Sequence, residues 1–262
     1  MDAAQVIPTA LSIAGSDPSG GAGIQADLKT FHQHKVYGMA VITLLTAQNT
    51  RGVRAVYVMK PVQVIRQLEA VLEDILPRAA KTGALGDEKV LRVVARAARQ
   101  FKFPLVVDPV MMSKHGALLL KRNAVRVFIR ELLPHAVLVT PNLCEAEVLS
   151  GIKVRDPKSM EKAAQIIAGF GPQAVLVKGG HLEGEALDLF YQDGRVRFFR
   201  APRTKTRHTH GTGCTYSAAI TAELAKGKSL LAAVSSAKKF ITRAICTSPG
   251  LGHGMGPVNH FA

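Results

Sequence analysis

Short apolar runs, separated by longer stretches of helix-like patterning, set the rhythm of this chain. The runs at Val6–Ala14, Met39–Ala47, Leu105–Val107, Ala136–Val139 and Ala174–Val177 are rich in β-branched residues and bounded by turn residues. Unbroken runs of this kind suit strands covered on both faces. Between them, Pro61 opens a helix over Pro61–Leu76, Asp87 caps one over Asp87–Gln100, and Asp156 stands directly before a first-turn Pro157. Two Ala-rich helices, Thr212–Lys226 and Leu230–Thr247, are parted by Gly227. Leu187–Tyr191 and Arg195–Arg200 read as a hairpin, because Asp193-Gly194 supplies the positive φ of a tight turn. Val53–Met59 breaks the alternation and reads as a flap or an edge strand. The whole pattern predicts an α/β fold in one domain over residues 1–262, a mostly parallel sheet with helices on both faces. Ligands of such sheets sit outside the carboxyl ends of the strands, so candidate residues are sought just after the apolar runs.

Composition narrows the function classes. Of 262 residues, 47% are hydrophobic and 20% charged, a globular balance that excludes disorder. Aromatics at 5%, with no Trp, argue against stacking platforms for single-stranded nucleic acid. No apolar run nears the ~18 residues of a membrane span. The segment Met1–Pro8 carries Asp2 and no basic cluster, unlike a signal peptide. Cys144, Cys214 and Cys246 lie far apart, which excludes a disulfide framework and a Cys-rich zinc site and fits a reducing cytoplasm. The formal charge of +15 is unusual, but its basic residues are scattered. A solvated basic surface accounts for them, and anionic substrates would gain from the field; an RNA- or nucleotide-holding module without turnover is the rival reading.

After the first run, Gly15 to Gly23 places four glycines in nine residues. Such a loop can wrap a ligand or serve as a plain flexible connection. Gly21-x-Gly23-x-x-Ala26 matches a dinucleotide fingerprint only formally. Its glycines begin late, and no Asp or Glu occurs between Asp27 and Glu69 to bind a ribose. Thr209-His-Gly-Thr-Gly-Cys214 opens an Ala-rich helix, so Gly211, Thr212 and Gly213 could offer backbone N–H groups to an anion. The helix dipole there would lower the pKa of the Cys214 thiol; alternatively, Cys214 is a buried structural residue. Asp108, and Asn142 with Glu145, follow two strands and could hold Mg²⁺ directly or through its waters. Asn142-x-x-Glu145 is equally a helix capping box. Lys178 is a phosphate partner or an ordinary solvated lysine. His208-x-His210 lacks further ligands at metal spacing, Met111-Met112 suits core or pocket lining, and Cys144 and Cys246 read as structural.

Taken jointly, these segments resemble the hydroxymethylpyrimidine/phosphomethylpyrimidine kinases of bacterial thiamine biosynthesis. The resemblance rests on Ala10–Lys29, Thr46–Thr50, Val106–Met111, Thr140-Pro-Asn142, Val177-Lys-Gly-Gly-His181, Thr209–Thr215 and the Gly-His-Gly-x-Gly-Pro tail ending at Pro257. It implies a ribokinase-like three-layer α/β/α sandwich, ATP and Mg²⁺ as cofactors, and commonly a homodimer. Two successive phosphorylations are implied, of 4-amino-5-hydroxymethyl-2-methylpyrimidine and then of its monophosphate. Gly15, Asp27, Gln48 and Val110 would line the pyrimidine pocket, Asp27 and Gln48 by hydrogen bonding. Gly211 to Cys214 would form an anion hole, with Cys214 accepting the hydroxyl proton where related sugar kinases carry Asp. Lys178, Thr209, Asn142 and Glu145 would serve ATP, and Glu145 with Asp108 would organise Mg²⁺. One departure is Ala84, where many members carry Met. Pyridoxal kinase is the nearest rival, since close relatives share both glycine-rich segments.

Overall fold

The computed structural model describes residues 7–113, 116, 119–120, 124–180 and 184–262. Residues Met1–Val6 and His181, on which parts of the reading above fall, lie outside the described residues. Among the described residues the nine strands are β1 (Thr9–Ser16), β2 (Tyr37–Asn49), β3 (Gly52–Val58), β4 (Ala79–Thr82), β5 (Leu105–Val107), β6 (Leu138–Val139), β7 (Ala174–Gly179), β8 (Ala186–Gln192) and β9 (Arg195–Ala201). They form one sheet in the order β3-β2-β1-β4-β5-β6-β7-β8-β9. The stretch from β2 to β7 is parallel, while β3 at one edge and β8–β9 at the other run antiparallel.

Helices α1 (Gly23–Gln33), α7 (Thr212–Ala225) and α8 (Leu230–Cys246) pack together on one face. The other face carries α2 (Pro61–Leu72), α3 (Glu88–Ala98), α5 (Leu143–Ser150) and α6 (Pro157–Ala168). A short α4 (Val125–Val127) continues there into a π-helical turn, Phe128–Leu132, and a 3-10 turn, Leu133–His135. Right-handed crossovers explain the split. The chain steps from β1 outward to β2 through α1, then returns past β1 to β4 through α2, so these helices fall on opposite faces. The reversal leaves a crevice at the carboxyl ends of β1 and β4, the place where doubly wound sheets bind ligands.

Local chemistry accounts for the boundaries. Asp87 accepts hydrogen bonds from the Lys89 and Val90 amides and starts α3, while Asp156 caps α6 ahead of Pro157. Asp193 (φ 49°) and Gly194 (φ 75°) both adopt left-handed backbone in the β8–β9 turn, as the hairpin reading requires. The Val53–Met59 segment is the edge strand β3 rather than a detached flap. Helix α7 is buried on nearly every side, and its Ala, Ser and Thr residues let it lie close between the sheet and its neighbours α1 and α8. The strand β4 has no counterpart among the apolar runs, because its four residues include a fully buried Lys81.

Replacing Asp87 by Ala removes the cap of α3 at a distance from the catalytic groups. We expect a loss of about 1 kcal/mol in urea unfolding, with the kinetic constants unchanged.

Candidate active site

Parallel strands β5, β6 and β7 end in register, which brings Asp108, Asn142 and Lys178 side by side; Asn142 and Lys178 form a direct bridge. Lys178 Nζ lies 3.0 Å from Asp108 Oδ1, and the pair is nearly buried. Thr140 Oγ1 donates to Asp108 Oδ1 at 3.2 Å and Ser217 Oγ to Oδ2 at 3.1 Å. Burial alone would raise the Asp108 pKa, but Lys178 and Lys81 outweigh it and hold the carboxyl below its ordinary value. For Lys178, burial disfavours charge, yet Asp108 and Glu145 hold the ammonium protonated. Lys178 is therefore no ordinary solvated lysine.

Glu145 sits in the first turn of α5. Its Oε2 accepts from the Asn142 amide at 2.8 Å, and its own amide donates to Asn142 Oδ1 at 2.9 Å. The capping box is real, and it fixes a carboxyl that is 7% exposed. Burial, reinforced by Asp108 and opposed by Lys178, pushes Glu145 up to about 7.

The loop before α7 meets the glycine-rich loop before α1 backbone to backbone. Gly211 has φ +77°, and a Cβ on it would fall 1.7 Å from the Gly21 carbonyl oxygen, so no other residue fits. Two residues on, a Cβ on Gly213 would stand 3.4 Å from Lys178 Nζ and 3.7 Å from Asp108 Oδ2. The first turn of α7 at Gly213 thus lies directly against the Lys178 ammonium, at the end of the helix where amides lack a carbonyl partner one turn back. Thr209 closes this turn, its carbonyl accepting from the Thr212 hydroxyl at 2.7 Å.

Cys214 differs from the expectation of a lowered pKa. The residue is half-buried, and burial pushes its thiol up to about 11, with Asp27 and Asp108 adding to the rise and Lys81 opposing it. The desolvated carboxylate-flanked position outweighs the helix dipole, so the sulfur carries its proton at neutral pH.

Asp27 also sits differently from the expected pocket wall. Its carboxylate is fully buried, bonded to Lys81 Nζ at 2.8 and 2.9 Å and to the Ser12 hydroxyl at 2.6 Å. With both oxygens engaged, it supports the floor beneath Cys214 instead of presenting itself to a ligand. Burial works against the Lys81 charge, but Asp27 and Asp108 keep it protonated. Lys81 escaped the sequence reading as a site residue; a lone charge inside Ala79–Thr82 was its only signal.

At the β1–β4 crevice, Gly15 faces Leu44 and Ala84, while Val110 packs on the cluster of Leu44, Ala84 and Leu119. Gln48, near the end of β2, lies 3.1 Å from His210 Nε2. The structure thus gathers Gly15, Ala84 and Val110 at one crevice, with Asp108, Glu145, Lys178 and Gly213 at the neighbouring one. Met111 is buried and Met112 55% exposed. Cys144 and Cys246 are exposed, not core residues; Cys246 Sγ touches the Thr204 hydroxyl at 2.9 Å. An open groove of ≈ 540 Å³ at the β2–β3 turn, lined by Asn49–Arg54, Gly252 and His253, shares no residue with these clusters. No helix among the described residues is long and apolar enough to cross a membrane.

An acid whose folded pKa is raised favours folding below its unfolded value and loses that contribution as pH climbs towards the folded one. For Glu145 the window runs from its ordinary 4.5 to about 7. Glu145→Gln lacks this penalty, so its melting temperature should gain on that of the parent between pH 5 and 8; a gap that stays constant would show the carboxyl to be solvated.

A model of the phosphomethylpyrimidine kinase family matches residues 17–259. The hydroxymethylpyrimidine/phosphomethylpyrimidine kinase of Rhizobium meliloti is 50% identical over 256 residues, covering 96% of each chain. Among solved structures, phosphomethylpyrimidine kinase from Clostridium difficile superposes with a TM-score of 0.81 at 44% identity, covering 91% of this chain and 99% of its own. The pyridoxal kinase of Staphylococcus aureus in complex with AMP-PCP and pyridoxal gives 0.91 at 38% identity, covering 98% and 95%. The fold is ribokinase-like, as the motifs implied. From the glycine-rich loop through the Gly211 turn to the last strap of the chain, the match is continuous, and this chain belongs to the phosphomethylpyrimidine kinase family.

Proposed function

We propose that this chain is an ATP-dependent kinase that phosphorylates 4-amino-5-hydroxymethyl-2-methylpyrimidine and then its monophosphate, giving the diphosphate. The observation that carries the reading is the gap left by Gly213, which sets the N-terminus of α7 against a nearly buried, charged Lys178. That gap offers two kinds of positive charge to a transferring phosphoryl group. The name of the Rhizobium meliloti relative supports the substrate, and the AMP-PCP bound by the Staphylococcus aureus relative supports the nucleotide.

Lys178 neutralises phosphate charge, and Asp108 holds its ammonium in place rather than binding ligand, since Thr140, Ser217 and Lys178 occupy both oxygens. Gly211, Thr212, Gly213 and Cys214 would form the anion hole in this reading, with the Thr212 amide already donating to the Thr209 carbonyl at 3.3 Å, and Thr209 and Asn142 shape the turns beside it. Gly15, Gln48 and Val110 border the pyrimidine, with Asp27 acting from below through Lys81. The donor set suits Mg²⁺ held chiefly by phosphates and water. Among the described residues no three potential ligand side chains cluster, and Glu145 already accepts from the Asn142 amide. Bound Mg²⁺ supplies charge neutralisation on the phosphates. Glu145 would meet it through its water shell, while Asp108 would act on the site through Lys178.

A loose phosphoryl-transfer transition state asks little of a base. That suits a Cys214 that holds its own proton: the thiol orients the substrate hydroxyl, whose proton passes late to an oxygen of the transferred phosphoryl group as the bond to the nucleotide breaks. Two copies of the chain form the assembly in this reading, supported by apolar side chains exposed at the β2–β3 edge, Tyr57 at 61% and Leu45 at 42%.

Incubation with Mg-ATP and the pyrimidine alcohol should yield the monophosphate and then the diphosphate by mass spectrometry; phosphorylation of pyridoxal alone would transfer the chain to the rival activity. Cys214→Ala should lower kcat about 10- to 100-fold, while Cys214→Ser keeps an orienting hydroxyl and stays within about tenfold of the parent. Lys178→Met should abolish turnover while the protein still folds, checked by steady-state kinetics beside circular dichroism.

A further inference from the structure

Asp17 lies in the glycine-rich loop and His210 in the turn before α7, and they meet across the seam between these loops. The Asp17 carboxylate accepts four hydrogen bonds. Oδ1 takes the Ser19 amide at 2.9 Å and the Ser19 hydroxyl at 2.7 Å; Oδ2 takes the Ala22 amide at 2.9 Å and His210 Nε2 at 2.7 Å. Both side chains of the Asp17–His210 pair are 4% exposed. Burial pushes the Asp17 pKa up, but His210 and Ser19 outweigh it and hold the carboxyl ionised. The same His210 nitrogen lies 3.1 Å from the side-chain nitrogen of Gln48, Nε2, a contact between two nitrogens that the hydrogen count below turns end for end.

We propose that Asp17 and His210 are positioning residues that fix which end of the Gln48 amide meets the substrate, so that Gln48 offers it N–H donors. The argument is one of proton inventory. An ionised carboxylate can only accept, so the hydrogen between Asp17 and His210 resides on Nε2, whether the imidazole is neutral or charged. A ring N–H has no lone pair left, so it cannot accept from an amide NH₂. The two ends of a side-chain amide have nearly the same shape, and the hydrogen-bond network decides between them. The Gln48 carbonyl oxygen therefore turns towards His210 as a second acceptor. Its NH₂ group becomes the end available for recognition. The matching group on the ligand is then an acceptor, such as a ring nitrogen of a heteroaromatic alcohol, and not an exocyclic amine.

The assignment of Gln48 to substrate rests on the function proposed above, but the proton placement does not. ¹⁵N NMR of the ligand-free protein, with the His210 signals assigned through His210→Gln, should find Nε2 carrying a bonded proton. An unprotonated Nε2 overturns the proposal whatever the activity. In kinetics, Gln48→Glu keeps an acceptor for His210 and loses the donors. It should raise KM for the pyrimidine alcohol at least tenfold, with KM for ATP within twofold of the parent. Asp17→Asn, which releases the imidazole, should shift the same KM in the same direction. An analogue with C–H in place of the ring nitrogen that meets Gln48 should bind the parent at least tenfold more weakly and Gln48→Glu no more weakly than the natural alcohol does. If Gln48→Glu binds the pyrimidine as well as the parent does, Gln48 is not a donor to it and the proposal fails.

Discussion

Two ammonium groups buried between the sheet and α7 set the terms for everything around them. Lys81 on β4 and Lys178 on β7 both lie among groups sealed from water, where an unpaired charge is untenable. Each is answered by one aspartate, Asp27 from α1 and Asp108 after β5. Removing one partner of such a pair costs about 3–5 kcal/mol, far more than the pair itself contributes. The arrangement therefore does little for net stability and much for geometry. It obliges α1, β4, β5 and β7 to stay in one register, and it leaves Lys178 charged at the edge of the gap beside Gly213.

Glycine supplies the complementary constraint. The two loops that frame the site approach at Gly21 and Gly211 more closely than side chains would allow. Asp17 and His210 bridge the same seam with a hydrogen bond. A loop that borders the pyrimidine crevice and a loop that borders the phosphoryl gap are thereby parts of one body, joined without any segment of regular structure between them. Rigid joining of this kind is what positional catalysis of phosphoryl transfer demands.

Much of this was legible along the chain, and the exceptions have a common cause. Leu105–Val107 is β5 to the residue, and the caps at Asp87 and Asp156 start helices where expected, because these signals are local. The motifs also brought Asp108, Asn142, Glu145, Lys178 and Gly213 to one end of the sheet. What could not be read depends on partners distant in sequence. β4 is hidden by Lys81, whose presence in a core strand makes sense only beside Asp27, 54 residues away. Cys214 looked like an activated thiol from its helix position; burial, with Asp27 and Asp108 adding to it, reverses the sign, and none of these is visible from there. Asp17 was visible only as one residue of a flexible loop, since its partner His210 is 193 residues on.

The protonated state of Cys214 bears on how the molecule ages. Alkylating agents and peroxides attack thiolates, so a sulfur that holds its proton up to about 11 is a poor target. The exposed Cys144 and Cys246 stand in the path of such reagents first. Oxidative damage would accordingly be recorded on the surface while the phosphoryl gap stays intact, and a thiol titration would report on residues that take no part in the chemistry.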